Sequence, residues 1–406
     1  MATSRLISAS TAGHARIAES QFEKSAETDL RSPGLPRVSI AAQRPLRPVF
    51  LNGKFYSAEL NGVHRVADRM IRELDAIVAE MPAEQRPEFT LLAPGTSDWL
   101  PDLQAIRTTT VGRTNQLWEQ FVLPRLTRKG VLVNLANLSP VLHKRKITLI
   151  HDAQFLFPDC GYPLKQRLGY RYLVPLMARS SSHVVTVSEY SRRMLELFNI
   201  SPRANITVVH NGGDHILESP ASDLLRAKYG LDDQTYVVMF GCPKPYKNNP
   251  IVLDAFARNG LSPLKLVIVG SSRDEFAKAG YALPDCAVFV GRPNDSELRG
   301  LLNGALALAC PSITEGFGLP PLEAMFCGCP AIVTPAGAMP EVCADAALYA
   351  GVDDVEAWRD AIRTLHSDKQ LRSAKIRQGL ERAQAMTWDS ASRDLLDLIL
   401  GLSAQD

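Results

Sequence analysis

Two acidic residues, Glu315 and Glu323, bracket a stretch rich in glycine and proline, EGFGLPPLE. The glycines let the backbone approach a ligand closely, and the Pro-Pro pair suits the first turn of a helix, where amide groups lack acceptors anyway. A helix N-terminus attracts a phosphate, while the two carboxylates could accept hydrogen bonds from hydroxyls. The stretch therefore predicts a site for a ligand with both groups, such as a sugar nucleotide. The alternative is that Glu315 caps the helix and Glu323 is solvated.

Strands and helices in alternation must position this stretch. Short apolar runs rich in β-branched residues recur, and they are continuous, which is typical of strands buried on both faces of a parallel sheet. Amphipathic helical patterns lie between them, at 63–74, 165–179 and 188–198 among others. We therefore predict a doubly wound α/β fold. The apolar runs are 48–52, 89–94, 131–137, 147–152, 183–188, 206–211, 236–241, 264–270, 287–291, 305–312, 331–335 and 346–351.

A polar, loop-rich stretch at about 213–231 interrupts the series of strands. We place the boundary between two Rossmann-like domains there, at 48–215 and 216–385, and expect a closing helix at 386–406. Each domain then carries about six strands, and ligands of such sheets bind beyond the carboxyl ends of the strands, in the deep cleft between the domains. No GxGxxG fingerprint follows the first strand, which argues against dinucleotide-binding redox domains.

The composition is that of an ordinary globular protein, with 46% hydrophobic and 22% charged among 406 residues. Lys and Arg number 45 and Asp and Glu 43, and this balance argues against a nucleic-acid binder. No apolar stretch is long enough to span a bilayer. The seven cysteines form no CxxC pair and the eight histidines show no zinc-ligand spacing, so we expect reduced thiols and no metal site.

The first 47 residues are rich in Ala, Ser, Arg and Pro and show no clear periodicity. MATSRLISAS lacks the apolar core of a secretory signal. We predict a mostly disordered leader at residues 1–47 and a cytoplasmic protein. The alternative is an N-terminal extension that docks on the first domain.

Several segments, in their order along the chain, resemble the retaining family 4 glycosyltransferases, which have the GT-B fold. Glu315 and Glu323 match the E-x7-E pair of that family. The resemblance covers roughly residues 48 to 400 and implies two facing Rossmann-like domains. The other matching segments are HDAQFLFPD (151–159), VTVSEYSRR (185–193), VVHNGGD (208–214), FGCPKPYKNN (240–249) and GAMPEV (337–342).

The resemblance implies a separate role for each residue of the acidic pair. Glu315 would lie at the hydroxyls of the donor sugar, and Glu323 would bind the ribose of the nucleotide. The backbone amides of Phe317, Gly318 and Leu319 would hold the distal phosphate.

The segment FGCPKPYKNN departs from the family pattern at one position. The family has an Arg just after the glycine of this strand and a Lys a few residues later, and both bind the diphosphate. Lys247 matches the Lys, whereas Cys242 stands where the Arg is expected. Lys244 could reach the phosphates instead; the alternative is a solvated lysine in a turn.

The resemblance also implies roles for three segments of the N-terminal half. His151 would hydrogen-bond a hydroxyl of the reacting sugar, with Asp152 orienting the loop; the alternative is a histidine satisfied in the core. Gly62 would approach the donor phosphates and the acceptor, although Asn-Gly before a helix is also a common turn. The NGGD segment at 211–214 would form a hinge and a donor-side loop.

The implied reaction is a retaining hexose transfer from a nucleoside diphosphate sugar, without a metal or another cofactor. Lys247 and the amides at 317–319 would stabilise charge on the departing diphosphate. His151 and Glu315 would act at the reacting sugar, and an oxygen of the leaving phosphate would take the proton of the acceptor. Closure of the two domains would exclude water.

The N-terminal domain is expected to bind the acceptor, a saccharide. Between residues 141 and 193, nine Lys or Arg stand against three acids, while the net charge of the chain is +2. The HKRK run and the helical pattern at 165–179 predict contact with an anionic membrane, at the inner face of the plasma membrane, and a polyprenyl-diphosphate-linked acceptor. The alternative is a solvated basic face. Apolar residues set among the basic ones are Leu164, Leu168, Tyr172 and Leu176.

The segment LWEQFVLPRL (117–126) and the YKNN turn look most like bacterial mannosyltransferases of O-antigen and exopolysaccharide assembly, so GDP-mannose is the first candidate donor. Two rival functions stay open. A sugar-nucleotide epimerase shares the GT-B architecture, and a nucleotide-sugar-binding pseudoenzyme would account for Cys242.

Overall fold

The structure is a computed structural model that describes residues 46–97, 99–113, 115, 117–157, 161 and 163–405. Residues 1–45 of the predicted leader at 1–47 lie outside the described residues, and so does Cys160.

Seven parallel strands form the first sheet, in the order β3-β2-β1-β4-β5-β6-β7. Six of them lie in the predicted apolar runs. β3 was not predicted, because its sequence RTTT is polar and mostly exposed at the edge of the sheet. The strands are β1 (Val49–Asn52), β2 (Phe89–Ala93), β3 (Arg107–Thr110), β4 (Val131–Asn134), β5 (Lys146–Leu149), β6 (His183–Thr186) and β7 (Ile206–Val208).

Six parallel strands form the second sheet, in the order β10-β9-β8-β11-β12-β13. All six lie in predicted runs, and the central ones are buried on both faces. The predicted α/β class with two parallel sheets is confirmed. The strands are β8 (Tyr236–Phe240), β9 (Lys265–Val269), β10 (Ala287–Gly291), β11 (Ala307–Cys310), β12 (Ala331–Val333) and β13 (Ala347–Tyr349).

Amphipathic helices cover the sheets. Asn61 caps the first of them by accepting from the amide of His64 at 3.1 Å, and Val66, Met70 and Leu74 are buried on its inner face. The α-helices are α1 (Gly62–Glu80), α2 (Leu123–Leu126), α3 (Leu164–Arg179), α4 (Glu189–Leu197), α5 (Leu224–Lys228), α6 (Asn249–Ala257), α7 (Arg273–Lys278), α8 (Asp295–Gly304), α9 (Leu319–Phe326), α10 (Met339–Cys343), α11 (Val355–Ser367), α12 (Lys369–Gln384) and α13 (Trp388–Ser403).

The first half of the chain carries the sheet β1–β7, and the second half carries the sheet β8–β13. The last helix, α13, returns to the first half. α13 packs against α1, and Ser403 Oγ donates to the carbonyl of Arg47 at 2.7 Å. Trp388, at the start of α13, belongs to the same buried apolar cluster as Val209 and Phe317. The two halves therefore share a continuous core, and contacts between their strand-end loops join the two sheets at their carboxyl edges.

The HKRK run at 143–146 does not form the fully exposed basic face that its sequence suggests. Lys146 opens β5 and is wholly buried, with Nζ donating to the carbonyl of His143 at 2.7 Å and to Ser180 Oγ at 2.6 Å. Burial lowers the pKa of Lys146 to about 7, because the charged ammonium is disfavoured away from water. Since His143 and Lys146 are both buried, only Lys144 and Arg145 of this run are left to form a solvated basic face or to contact a membrane.

Candidate active site

Lys247 and Glu315 form an ion pair at the carboxyl edge of the second sheet. Lys247 lies in the turn after β8, and Glu315 lies in the loop after β11. Lys247 Nζ is 2.6 Å from Glu315 Oε1, and Ser312 Oγ donates to the same oxygen at 2.6 Å. Within the described part of the chain, Oε2 of Glu315 makes no hydrogen bond. One carboxylate oxygen is thus held in place while the other is left for a ligand.

Lys247 is partly buried and stays charged. Burial by itself would lower the pKa of Lys247, but the carboxylate of Glu315, helped by Tyr246 and Cys310, more than compensates. The net effect is a pKa well above the usual value for lysine. The pair therefore presents a fixed cation at the strand edge throughout the physiological pH range.

The stretch EGFGLPPLE forms a loop that leads into α9, with Pro320 and Pro321 in its first turn as predicted. Gly318 precedes the helix with φ +114°, and a Cβ there would also collide with Met339. No side chain caps α9, so the alternative in which Glu315 is the cap is wrong. Among the described residues, the amides of Phe317, Gly318 and Leu319 have no acceptor, whereas the ring of Phe317 is buried.

Glu323 is not solvated, because only 5% of its surface is exposed. Its Oε1 lies 3.1 Å from Nε2 of His215, although the N–H direction is too oblique for a well-formed hydrogen bond. Nδ1 of His215 accepts from the indole of Trp388 at 3.1 Å, and Asp214 accepts from the Trp388 amide at 2.9 Å. His215 was not anticipated; its place directly after NGGD was the only available signal.

His151 lies just beyond β5 at the carboxyl edge of the first sheet. Its Nε2 is 3.1 Å from the carbonyl of Leu135, to which it donates, and its backbone amide donates to Asn137 at 2.8 Å. Burial lowers the pKa of His151 to about 4, so the imidazole is neutral. Its Nδ1 has no partner among the described residues and is an acceptor, which suits a hydroxyl group.

Asp152 packs against the loop of the second half. Its Oδ1 accepts from the amide of Gln154 at 3.0 Å, and the Gln154 side chain donates to the carbonyl of Thr314 at 3.1 Å. A Cβ at Gly316 would lie 2.9 Å from both Asp152 Cβ and the carbonyl of His151, so the close approach requires glycine here. Burial, with a smaller effect of Glu315, raises the pKa of Asp152 to about 6.

The remaining predicted ligand residues lie around this centre. The amide of Cys242 donates to buried Asn249 at 2.8 Å, which fixes the backbone where an Arg was expected. Lys244 is exposed, and its Cγ is 3.4 Å from the position of a Cβ at Gly161 in the first half. Gly62 is exposed at the start of α1, and a Cβ there would meet open space, so the fold itself does not require glycine at 62.

A cavity at the opposite edge of the first sheet and the metal-binding side chains of the described residues offer no rival to the site at the carboxyl edges. A cavity of about 640 Å³ lies at the amino ends of β2 and β3, between Arg86 and Gln104 among others, and so opposite to the carboxyl edge. Across the described ranges, no group of three or more His, Cys, Asp or Glu could hold a metal ion. The carboxyl edges of the two sheets are therefore the candidate site.

Comparison with known proteins gives a family for the second half. Residues 222–382 match the model of the family "Glycosyl transferases group 1". The chain is 30% identical over 271 residues to the O-antigen chain mannosyltransferase B of Escherichia coli, with 63% of this chain and 70% of that protein covered. It is 28% identical over 254 residues to the O-antigen chain mannosyltransferase RfbU of Salmonella typhimurium, with 60% and 67% covered.

Solved structures share the fold across both halves. The Anabaena protein HepE, solved in complex with UDP and glucose, aligns with a TM-score of 0.66 at 16% identity over 87% of this chain and 99% of HepE. WaaG, a glycosyltransferase involved in lipopolysaccharide biosynthesis, aligns with a TM-score of 0.64 at 17% identity over 86% of this chain and 99% of WaaG. The two parallel sheets thus have the GT-B arrangement.

Proposed function

The chain belongs to the group 1 glycosyltransferases, and we propose that it transfers a hexose from a nucleoside diphosphate sugar to a saccharide acceptor. The observation that carries the proposal is the 2.6 Å pair of Lys247 and Glu315 at the start of a loop whose amides at 317–319 have no acceptor among the described residues. A cation and free amides bind a diphosphate, and a carboxylate oxygen without a partner binds sugar hydroxyls. Both parts of a nucleotide sugar find complementary groups at one strand edge.

In the proposed reaction, the bond between the anomeric carbon and the diphosphate breaks, and negative charge grows on the departing phosphate. Lys247 and the amides of Gly318 and Leu319 stabilise that charge in a site already arranged to receive it. Glu315 holds the hydroxyls of the sugar, and Glu323 holds the ribose. No metal or other cofactor takes part in this proposal.

On the first sheet, Nδ1 of neutral His151 accepts a hydrogen bond from a hydroxyl of the reacting sugar. The acceptor hydroxyl forms the new bond to the anomeric carbon on the face from which the phosphate departs, and its proton passes to the leaving phosphate oxygen. The anomeric configuration is retained in this scheme. The two halves meet at this site, for example where Gln154 donates to the carbonyl of Thr314, and their closure around the substrate would exclude water.

The first candidate donor is GDP-mannose. Support comes from the two relatives named as O-antigen chain mannosyltransferases. HepE was solved with UDP and glucose, so UDP-glucose is the second donor to test.

A thermal-shift screen with GDP, UDP and dTDP, followed by an assay of nucleotide release from GDP-mannose and UDP-glucose, tests the proposal. A bound nucleotide raises the melting temperature by mass action, and we expect GDP to raise it most. Turnover of GDP-mannose should release GDP. Conversion of a UDP-sugar without nucleotide release would favour an epimerase, and binding without any turnover would favour a pseudoenzyme. No stabilisation by any nucleotide would contradict the proposal.

We further propose that α3 contacts an anionic membrane and so brings the protein to a polyprenyl-diphosphate-linked acceptor. Four apolar side chains spaced by four residues project from α3: Leu164, Leu168, Tyr172 and Leu176, which are 69%, 47%, 69% and 52% exposed. Lys165, Arg171 and Arg179 are exposed beside them, while Val174 and Met177 face the protein. Apolar side chains flanked by cations suit the headgroup region of an anionic bilayer. None of the helices described here is long and apolar enough to cross a membrane.

Co-sedimentation with phosphatidylglycerol vesicles tests this contact. Wild-type protein should bind these vesicles at low salt, bind less at high salt, and not bind phosphatidylcholine vesicles. The double variant Leu168→Ser/Tyr172→Ser should lose most of the binding. Leu224→Ser is the matched control, because Leu224 is 71% exposed in the other half of the chain. Equal binding by the double variant and wild type would rule out α3 as the contact.

A further inference from the structure

The first turn of α4 lies against the loops of both halves. Ser188 precedes this helix and caps it by accepting from the amide of Ser191 at 2.9 Å. Ser188 and Ser191 are both fully buried. Their hydroxyl protons are directed at the two candidate catalytic loops.

Ser191 joins the loop of His151 to the loop of Glu315. Its Oγ is 2.9 Å from the carbonyl of His151 and 3.0 Å from the carbonyl of Gly316. A hydroxyl has one proton, so Ser191 donates to one of these carbonyls at a time or shares its proton between them. Either way, the buried hydroxyl of Ser191 sets the spacing between His151 and Gly316.

Two more contacts of the same turn reach the second half. Ser188 Oγ donates to the carbonyl of Gly316 at 2.6 Å, so this carbonyl lies within reach of two hydroxyls. The hydroxyl of Tyr190 is 3.0 Å from Oγ1 of Thr314. The residues on both sides of Glu315 are therefore bound by one turn of a helix from the other half.

Glu341 of α10 binds the same turn from the second half. Its Oε1 accepts from the amide of Glu189 at 2.8 Å and lies 2.7 Å from Nε2 of His210, and its Oε2 accepts from the amide of Tyr190 at 3.1 Å. These are first-turn amides, which have no acceptor inside the helix and favour a negative charge. A carboxylate from one half thus fills the helix end of the other half.

We propose that Ser188, Ser191 and Glu341 are positioning residues that set Glu315 against His151 across the interface between the two halves. The inference rests on the proposed glycosyl transfer, because it assigns these groups to the alignment of the same site. Misplacement by about 1 Å can lower the rate of a reaction about 100-fold. The buried hydroxyls and the helix cap restrict that displacement without touching the substrate.

Steady-state kinetics with GDP-mannose test the proposal on Ser191→Ala and Ser188→Asp. Ser188→Asp keeps a side chain that caps the helix but cannot donate to Gly316. Both variants should lower kcat about 10-fold or more, while the Kd for GDP stays within about 3-fold because no nucleotide contact is removed. Ser188→Thr, which keeps both the cap and the donor, should restore most of the kcat.

Hydrogen exchange of the ligand-free protein gives a second readout that needs no turnover. Exchange of the segment 312–319 and of the amides of Glu189 and Tyr190 should speed up in Ser191→Ala and in Glu341→Gln. Asp368→Ala is the matched control, because it removes the cap of α12, where Asp368 accepts from the Leu371 amide, and should leave 312–319 unchanged. If wild type turns over no donor, the proposed function fails and exchange alone decides about positioning. Unchanged kcat together with unchanged exchange in Ser191→Ala would overturn the positioning role of these residues.

Discussion

The carboxyl edges of the two sheets carry opposite kinds of electrostatics. On the second sheet, Lys247 pairs with Glu315 at 2.6 Å, and this carboxylate raises the pKa of Lys247 above its usual value. On the first sheet, burial lowers the pKa of His151 to about 4 and raises that of Asp152 to about 6. Burial alone favours neutral groups, whereas a paired charge keeps its ionised form.

The difference suggests a division of work between the two edges. In the proposed transfer the departing diphosphate needs a permanent cation, and Lys247 on the second sheet is the candidate for it. A sugar hydroxyl can also donate to a neutral nitrogen, and in the proposed site Nδ1 of His151 offers one on the first sheet. Four changes test this division, in order from the largest expected effect on turnover to the smallest.

Glu315→Gln should cause the largest loss of turnover. The amide keeps the shape of the side chain but no longer pairs with Lys247 and binds hydroxyls less strongly. We expect kcat to fall at least about 100-fold, with a far-UV circular dichroism spectrum like that of wild type. Turnover close to that of wild type would exclude Glu315 from the chemistry.

Lys247→Met should lower turnover about 10-fold or more and also destabilise the protein. It leaves the mostly buried carboxylate of Glu315 without its cation, which costs about 1–3 kcal/mol of unfolding free energy. The double variant Lys247→Met/Glu315→Gln should recover at least half of that stability but not the activity. Urea denaturation measures the difference.

The control for this pair is Arg393→Met, which breaks an exposed ion pair with Asp389. We expect Arg393→Met to change the free energy of unfolding by no more than about 0.5 kcal/mol. Equal losses in Lys247→Met and Arg393→Met would mean that the Lys247–Glu315 pair is no more than a surface ion pair.

Asp152→Asn should change turnover only a few-fold, because an amide oxygen can also accept from the amide of Gln154. Its effect on stability depends on pH. Since the folded pKa is raised to about 6 from 3.8, the stability that protonation adds is complete below 3.8 and is lost as the pH rises through about 6. The melting temperature of Asp152→Asn should therefore exceed that of wild type by more at pH 7 than at pH 5. An equal difference at both pH values would contradict the raised pKa.

Lys146→Met should leave turnover unchanged, because Lys146 lies at the start of β5, away from the site. Lys146 is the counterpart of Lys247, a buried lysine that has no carboxylate partner among the described residues. Its folded pKa of about 7 is below the unfolded value, so stability is complete above about 10.5 and is lost as the pH falls through about 7. Wild type should gain melting temperature from pH 7 to 9, and Lys146→Met should lose that slope. If Lys146→Met keeps the wild-type change in melting temperature between pH 7 and 9, the titrating group is not Lys146.

Much of the fold follows from local sequence, because strands buried on both faces are continuous apolar runs. The exception is β3, whose RTTT sequence is polar since an edge strand is exposed. The first turn of α9 was also predictable, since Pro320 and Pro321 stand just before an apolar helical pattern and proline suits the first turn of a helix. The burial of Lys146 was not, because a basic run looks the same whether or not one of its members is inside.

The site was predictable as a set of segments but not as a set of contacts. The spacing of Glu315 and Glu323 shows that both lie near one helix start. It does not show that Lys247, 68 positions away, binds Glu315, or that Ser191 reaches Gly316 from the other half. Such pairs depend on how two domains meet, which local pattern does not encode.

Isothermal titration with GDP tests the division between the two edges most directly. If the second edge binds the donor diphosphate, Lys247→Met should weaken GDP binding about 10-fold or more, which is about 1.4 kcal/mol. Asp152→Asn, on the first edge, should leave the Kd for GDP within about 3-fold of wild type. Unchanged binding in Lys247→Met, or an equal loss in both variants, would contradict the account.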